Sequence, residues 1–263
     1  MNNISVSDLS FAYPGTDKLI LKDINLEISA GEFVCVLGQS GCGKSTFLRL
    51  IAGLEKPTTG ELKVGDKPIT GAGLDRAVVF QDYGLFPWLT AGANITLALK
   101  QRYPDMSKAD LKTKTLESLE SVGLDKGVYS KLPKELSGGM KQRCAIARAL
   151  GIDSPILLMD EPFGALDAVT RARLQDLVLR LWDAEEQKKT VIFVTHDVDE
   201  AMLLSTRTVL FGQSPSHVIF DKTRDVSERP TRKTQFSDPN VLQLRNELIE
   251  RMNIDINEHA DAQ

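Results

Sequence analysis

No run of this sequence is apolar over the roughly 18 residues that a helix needs to cross a bilayer. Its first residues, MNNISVSDLS, lack a basic region followed by an apolar core. Neither a membrane span nor a leader peptide is therefore expected, and any membrane association should go through another protein. Cysteine is scarce. Cys35, Cys42 and Cys144 are an odd number in apolar or glycine-rich surroundings, which excludes a disulfide framework or a zinc spacing and fits a reducing compartment. Positive charge is not in excess either: a net charge of -4 and a pI near 5.5 give no broad basic field, so nucleic acid is not expected as a partner. Internal repeats and low-complexity tracts are absent. What remains is 263 residues, 42% hydrophobic and 26% charged, an ordinary globular composition with enough chain to bury a core unaided.

Along the chain, short β segments come first: ISVSDLSFAY, LILKDINLEIS with alternating Ile24, Leu26 and Ile28, EFVCVL, and later ELKVGD and RAVVFQ. A helix, STFLRLIAGL, interrupts them and is closed by Gly53 and Pro57. From about Asp82 to Ser154 the pattern reads as a mostly helical insertion. In it Pro87 and Pro104 punctuate loops, Ser107 caps a helix that Gly123 ends, and another helix starts just after Ser137. The apolar run PILLMD, a helix from Asp167 to about Ala184, TVIFVTH and RTVLF restore the α/β alternation. Past Asp221 the chain is charged until DPNVLQLRNELIERM, where Asp238 caps, Pro239 fits the first turn, and Val241, Leu244, Leu248 and Met252 form a stripe. That helix is expected to pack on the body, with the acidic residues after it as a loose tail.

Two segments carry chemistry. Gly38-Gln39-Ser40-Gly41-Cys42-Gly43-Lys44-Ser45, between a strand and a helix, has the phosphate-loop spacing G-x-x-x-x-G-K-[ST]. Glycines let backbone N–H groups wrap phosphates, Lys44 supplies a cation to the β and γ groups, and Ser45 offers a hydroxyl to Mg²⁺. Cys42 reads as a residue small enough for the loop. PILLMDEP places Asp160 and Glu161 at the carboxyl end of a buried strand, where open α/β sheets bind ligands. Asp160 then serves Mg²⁺, usually through water, and Glu161 polarises an attacking water. Ser137-Gly138-Gly139 at the mouth of a helix is a second anion-friendly site, which caps that helix or serves a nucleotide bound elsewhere.

Together these residues resemble the nucleotide-binding subunits of ABC transporters. LSGGMKQR matches the signature of that family, GQSGCGKST its Walker A motif and ILLMDE its Walker B motif. Tyr13, Gln81, the D-loop GALD ending at Asp167, and His196 in VTHD stand in the family's order. The resemblance runs from about Ile4 to Phe220. It implies an α/β fold: a P-loop NTPase cassette with a RecA-like mixed-sheet core, an N-terminal antiparallel β subdomain and an inserted helical subdomain. Residues 4–220 would form that cassette, with the helical insertion over about 82–154, and residues 221–263 an extension. By the same resemblance ATP and Mg²⁺ are the cofactors: Tyr13 stacks on adenine, Gly38 to Thr46 hold the phosphates, Gln81 senses Mg²⁺ and His196 contacts the γ-phosphate. Ser137, Gly138 and Gly139 would serve the nucleotide of a second subunit. His217 and His259 match no motif.

QDYGLFPWLTAGANI and LSGGM further resemble bacterial importers of nitrate, taurine and aliphatic sulfonates, although STRTVLF lacks the acid usual before Arg207. The implied assembly is a pair of cassettes on the cytoplasmic face of the membrane, docked through Leu85, Phe86, Pro87 and Trp88 to an integral permease fed by a solute-binding protein. An ABC ATPase acting on DNA or the ribosome would usually carry two cassettes or a long coiled coil. An exporter cassette is commonly fused to membrane helices. A small-molecule kinase has no use for LSGGMKQR or VTHD.

Overall fold

The computed structural model describes residues 3–261. The chain divides into two units, one made of the residues up to Gly73 together with those from Thr190 onward, the other running from Leu74 to Lys189.

The first unit opens with β1 (Ile4–Ala12), β2 (Leu19–Ile28) and β3 (Phe33–Leu37), then α1 (Lys44–Ala52), β4 (Thr59–Val64) and the short β5 (Lys67–Pro68). Strands β2, β1, β4 and β5 form an antiparallel sheet in that order. In β2 Ile24, Leu26 and Ile28 are buried while Asn25 and Glu27 are exposed, the period-2 pattern of a strand with one face on a core. The β1 register slips around Asp8, whose φ is 48°. Gly60 there lies so close that a Cβ would stand 2.4 Å from the Asp8 carbonyl oxygen. Strand β3 alternates nothing because all five of its residues are buried, as a strand flanked on both sides requires.

The second unit holds β6 (Arg76–Val79), α2 (Ala91–Arg102), α3 (Lys108–Ser121), α4 (Gly138–Gly151), β7 (Ile156–Asp160) and α5 (Ala168–Asp183). Strands β6 and β7 pair in parallel. Side chains of Thr90, Ser107, Ser137 and Asp167 cap α2, α3, α4 and α5, each accepting a first-turn backbone N–H. Gly123, at φ 72°, ends the α3 segment as its sequence implies. Helix α2 is not announced by its sequence, and its placement is tertiary. Asn94 is buried inside it and holds the preceding loop: its Oδ1 accepts from Phe86 N at 2.8 Å, and its Nδ2 donates to the carbonyls of Phe86, Leu89 and Thr90 at 3.2, 3.1 and 3.0 Å. Gly92 lets Tyr129 approach to where a Cβ would be 2.4 Å from the ring. Asn94→Ala strands several of these buried partners and should lower stability by about 2–3 kcal/mol. Urea denaturation checks this, and an unchanged midpoint would contradict it.

The chain re-enters the first unit with β8 (Thr190–Thr195), α6 (Val198–Leu204), β9 (Arg207–Phe211), β10 (Val218–Thr223) and α7 (Pro239–Asp261). Here β3 lies between β8 and β9, parallel to both, and β10 adds antiparallel to β9. Val241, Leu244 and Leu248 of α7 are buried, so the expected stripe packs. The acidic stretch expected as a loose tail is instead helical through Asp261. The reason is a long-range contact: Asp255 is buried and accepts Gln213 N at 2.8 Å.

Candidate nucleotide site

The first unit gathers three of the predicted elements. Strand β3 ends at Leu37 and the phosphate loop follows directly. Gly41 and Gly43 have φ of 84° and 102°, a left-handed region open to glycine, and they fold the loop back onto α1. Gly38 has a different constraint: a Cβ there would stand 2.8 Å from Cys42 Sγ and 2.9 Å from the Phe211 carbonyl. Lys44 is 3% exposed, and its Nζ donates to the carbonyls of Gly38 and Gln39 at 2.9 and 2.8 Å, so its charge is held within the turn of the loop. Burial pushes the Cys42 thiol up, which keeps it neutral and agrees with its reading as a small filler.

Helix α1 starts at Gly43 with no side-chain cap, whereas α2 to α6 each have one. The N-terminal end of a helix concentrates positive dipole and unsatisfied N–H groups, so this uncapped start, immediately after a glycine turn, fits a phosphate chain. Ser45 and Thr46 lie in this first turn. Tyr13 is half-buried, set edge-on to Phe11 at 4.9 Å, and its hydroxyl is 3.0 Å from Thr46 Oγ1. The structure thus brings Tyr13 beside the phosphate loop.

His196 follows β8. Parallel pairing sets Leu37 of β3 against Thr195 of β8, so the phosphate loop and His196 leave the same edge of the sheet. Thr195 Oγ1 donates to Glu200 Oε2 at 2.5 Å and accepts Asp197 N at 3.1 Å, and Asp197 caps α6. This braced turn leaves His196 exposed rather than in the core.

The second unit repeats the arrangement. Val79 of β6 pairs with Met159 of β7, so Gln81 and the pair Asp160 and Glu161 leave adjacent carboxyl ends. Asp160 is buried as the last residue of β7. Glu161 carries a φ of 39°. A non-glycine residue held there costs about 1–3 kcal/mol and such strain concentrates at functional positions. Ser137 is exposed and caps α4 through Met140 N at 3.3 Å. Gly139 has a packing reason as well, since a Cβ there would be 2.6 Å from Thr170 Cγ2 at the start of α5. Asp167 accepts from Val169 N and Thr170 N at 3.1 and 3.0 Å, and hydrogen bonds from Thr170 hold its carboxyl below the usual range.

Two groups escaped sequence reasoning. Arg148 of α4 donates to the carbonyls of Tyr83, at 3.2 Å, and Gly84, tying the helix that begins at Ser137 to the segment after Gln81. An arginine one turn from the buried Cys144, on an otherwise apolar face, was the available signal. Gln213 donates through Nε2 to Gln39 Oε1 at 3.3 Å while its backbone N–H is held by Asp255, linking α7 to the phosphate loop. Nothing in the spacing of these residues announces that link.

A strand, glycine turn and uncapped helix carrying a buried lysine define a P-loop nucleotide-binding fold, and two further motif sets extend it. The family profile described as "ABC transporter" matches residues 21–164, more than half of the chain. The sequence is 44% identical over 242 residues to the nitrate import ATP-binding protein NrtD of Synechococcus elongatus, covering 92% of this chain and 87% of that one. It is also 44% identical over 254 residues to the bicarbonate transport ATP-binding protein CmpC of the same organism, covering 95% of this chain but 38% of that longer protein. Among solved structures, the dimeric post-hydrolysis state of the ATP-binding cassette MJ0796 bound to ADP and Pi superposes with a TM-score of 0.75 at 34% identity, over 84% of this chain and 99% of that one. This chain belongs to the ABC transporter family. It is an ATP-binding cassette with the P-loop ABC fold, an ATPase that uses ATP and Mg²⁺.

Proposed function

We propose that the chain is the ATP-hydrolysing subunit of an importer that carries a small solute of the nitrate, sulfonate or taurine kind through a separate membrane permease. The likeness to NrtD across nearly the whole chain carries this reading. The bicarbonate relative points to the same class of small, oxygen-rich solutes. No helix among the described residues is long and apolar enough to cross a membrane. The importer reading makes the chain a peripheral subunit on the cytoplasmic face.

In this reading the uncapped turn of α1 and Lys44 bind the phosphates, and Tyr13 supports the adenine. Ser45, Asp160 and Gln81 hold Mg²⁺. Held by those residues, Mg²⁺ would supply positive charge to offset the negative charge that develops on the phosphates during transfer. Glu161 orients the attacking water and accepts its proton, and His196 donates to the γ-phosphate. Two copies, or this chain and a second cassette, pair so that Ser137, Gly138 and Gly139 of one serve the nucleotide of the other. The dimeric state of MJ0796 supports such pairing.

Phe86 and Trp88 support the permease contact. They are 41% and 72% exposed, with ring centroids 5.5 Å apart, on the loop that Asn94 fixes. An exposed aromatic pair on a rigid loop suits a protein interface. Trp88→Glu should cut ATP-driven uptake by at least about tenfold, the loss expected for a central interface aromatic, while ATP hydrolysis by the purified chain continues. Uptake of labelled nitrate, taurine and bicarbonate into vesicles that hold this chain with the membrane protein that co-purifies with it tests both points. Unimpaired uptake would remove Trp88 from the interface, and transport of none of the three would overturn the solute class.

A further inference from the structure

The phosphate loop rests against a turn that the last helix holds. Residues 212–217 join β9 to β10, and both this turn and α7 lie outside the residues matched by the family profile. The turn is fixed on two sides. Toward β2, Ser216 N donates to the Ile20 carbonyl at 2.8 Å, and the Ser216 carbonyl accepts Lys22 N at 2.9 Å. Toward α7, the buried Asp255 accepts Gln213 N at 2.8 Å and comes so close that a Cβ at Gly212 would stand 2.7 Å from its Oδ1. Half-buried Gln213 reaches from this turn to the phosphate loop, where its Nε2 donates to Gln39 Oε1 at 3.3 Å. The Gln39 carbonyl in turn accepts Lys44 Nζ at 2.8 Å. A path of hydrogen bonds thus runs from α7 to the cation of the loop, all within the first unit. Another tie of α7, Arg245 Nε to Asp199 Oδ1 at 2.6 Å, leads to α6 and not to the phosphate loop.

We infer that Gln213, braced by Asp255, is a positioning residue for nucleotide binding, a role that rests on the phosphate loop being the nucleotide site. A loop that turns on Gly41 and Gly43 has backbone freedom to lose when phosphates arrive. Holding the Gln39 side chain restricts the loop before ATP binds, so less of the binding free energy goes into ordering it. Where only a fraction of the free protein is competent to bind, the apparent affinity falls by that fraction. The tie therefore acts on affinity and leaves the chemical step alone.

Affinity for a fluorescent ATP analogue and kcat at saturating ATP, both measured on the full chain, test this. Gln213→Met keeps the length of the side chain and removes its donor. It should weaken binding by about 3–10-fold, the scale of one hydrogen bond, while kcat stays unchanged. Gln39→Met should do the same, and the double variant should be no worse than either alone, as residues acting through one contact require. Asp255→Ala should match them, and Asp255→Asn, which keeps an oxygen for Gln213 N, should restore most of the affinity. Arg245→Met loosens α7 without touching the path and should bind as the wild type does. Wild-type affinity in Gln213→Met, additive losses in the double variant, or an equal loss in Arg245→Met overturns the inference. If Asp255→Ala fails to fold, Gln213→Met decides, because it leaves the backbone tie to Asp255 in place. Lys44→Ala is the reference. Weakened binding there but not in Gln213→Met rejects the positioning role alone, whereas wild-type binding in both rejects the loop as the nucleotide site and the positioning role with it.

Discussion

Glu161→Gln should leave ATP binding intact and lower turnover by about 10²–10⁴-fold, the usual contribution of a positioned general base. The amide keeps the size and leaves the left-handed backbone at Glu161 unchanged, so only the proton acceptor is lost. A cassette that binds ATP and cannot cleave it should also accumulate as a closed pair. Size-exclusion chromatography with and without ATP reads this alongside phosphate release. Turnover near the wild-type rate would remove Glu161 from the reaction and leave Asp160 or a bound water as the acceptor.

Lys44→Ala should weaken ATP binding by about 10–100-fold, because a charge-assisted contact to the phosphates is worth about 1.5–3 kcal/mol. The free loop changes too. Nζ bridges the carbonyls of Gly38 and Gln39, so the variant loses the tie that holds the glycine turn closed as well as the cation. Binding of a fluorescent ATP analogue measures the loss. Lys44→Arg keeps the charge but carries a planar fork into a turn shaped around a single ammonium, and it should rescue little. Equal affinity in Lys44→Ala and wild type would move the phosphates away from this loop.

The parts of the fold written in short-range chemistry could be read from the sequence. Strands β3 and β7 are unbroken apolar runs, β2 alternates, and Ser107, Ser137 and Asp167 stand where caps belong. Each follows from which neighbours one residue needs. Helix α2 was not legible because Gly92 and Asn94 are poor helix formers, and their reasons lie in Tyr129 and in the loop from Phe86 to Thr90. The last turns of α7 read as a polar tail because their anchor, Asp255 on Gln213, spans 42 residues of chain. Among the candidate site residues, the phosphate loop was legible as a motif. Its uncapped helix, the strain at Glu161 and the exposure of His196 after a braced turn are properties of three-dimensional placement. The glycine at 139 shows the opposite limit: the motif suggests a ligand, and the structure adds a packing contact with Thr170 that would select glycine without one.

On the reading proposed above, hydrolysis belongs to a pair of cassettes, each completing the other's nucleotide through Ser137, Gly138 and Gly139. The most direct test measures phosphate release per subunit across a dilution series that passes through the dimerisation range followed by light scattering. Specific activity should fall toward zero as the pairs separate, while binding of the fluorescent ATP analogue persists. A rate per subunit that stays constant after the pairs have come apart would show that one cassette hydrolyses ATP alone.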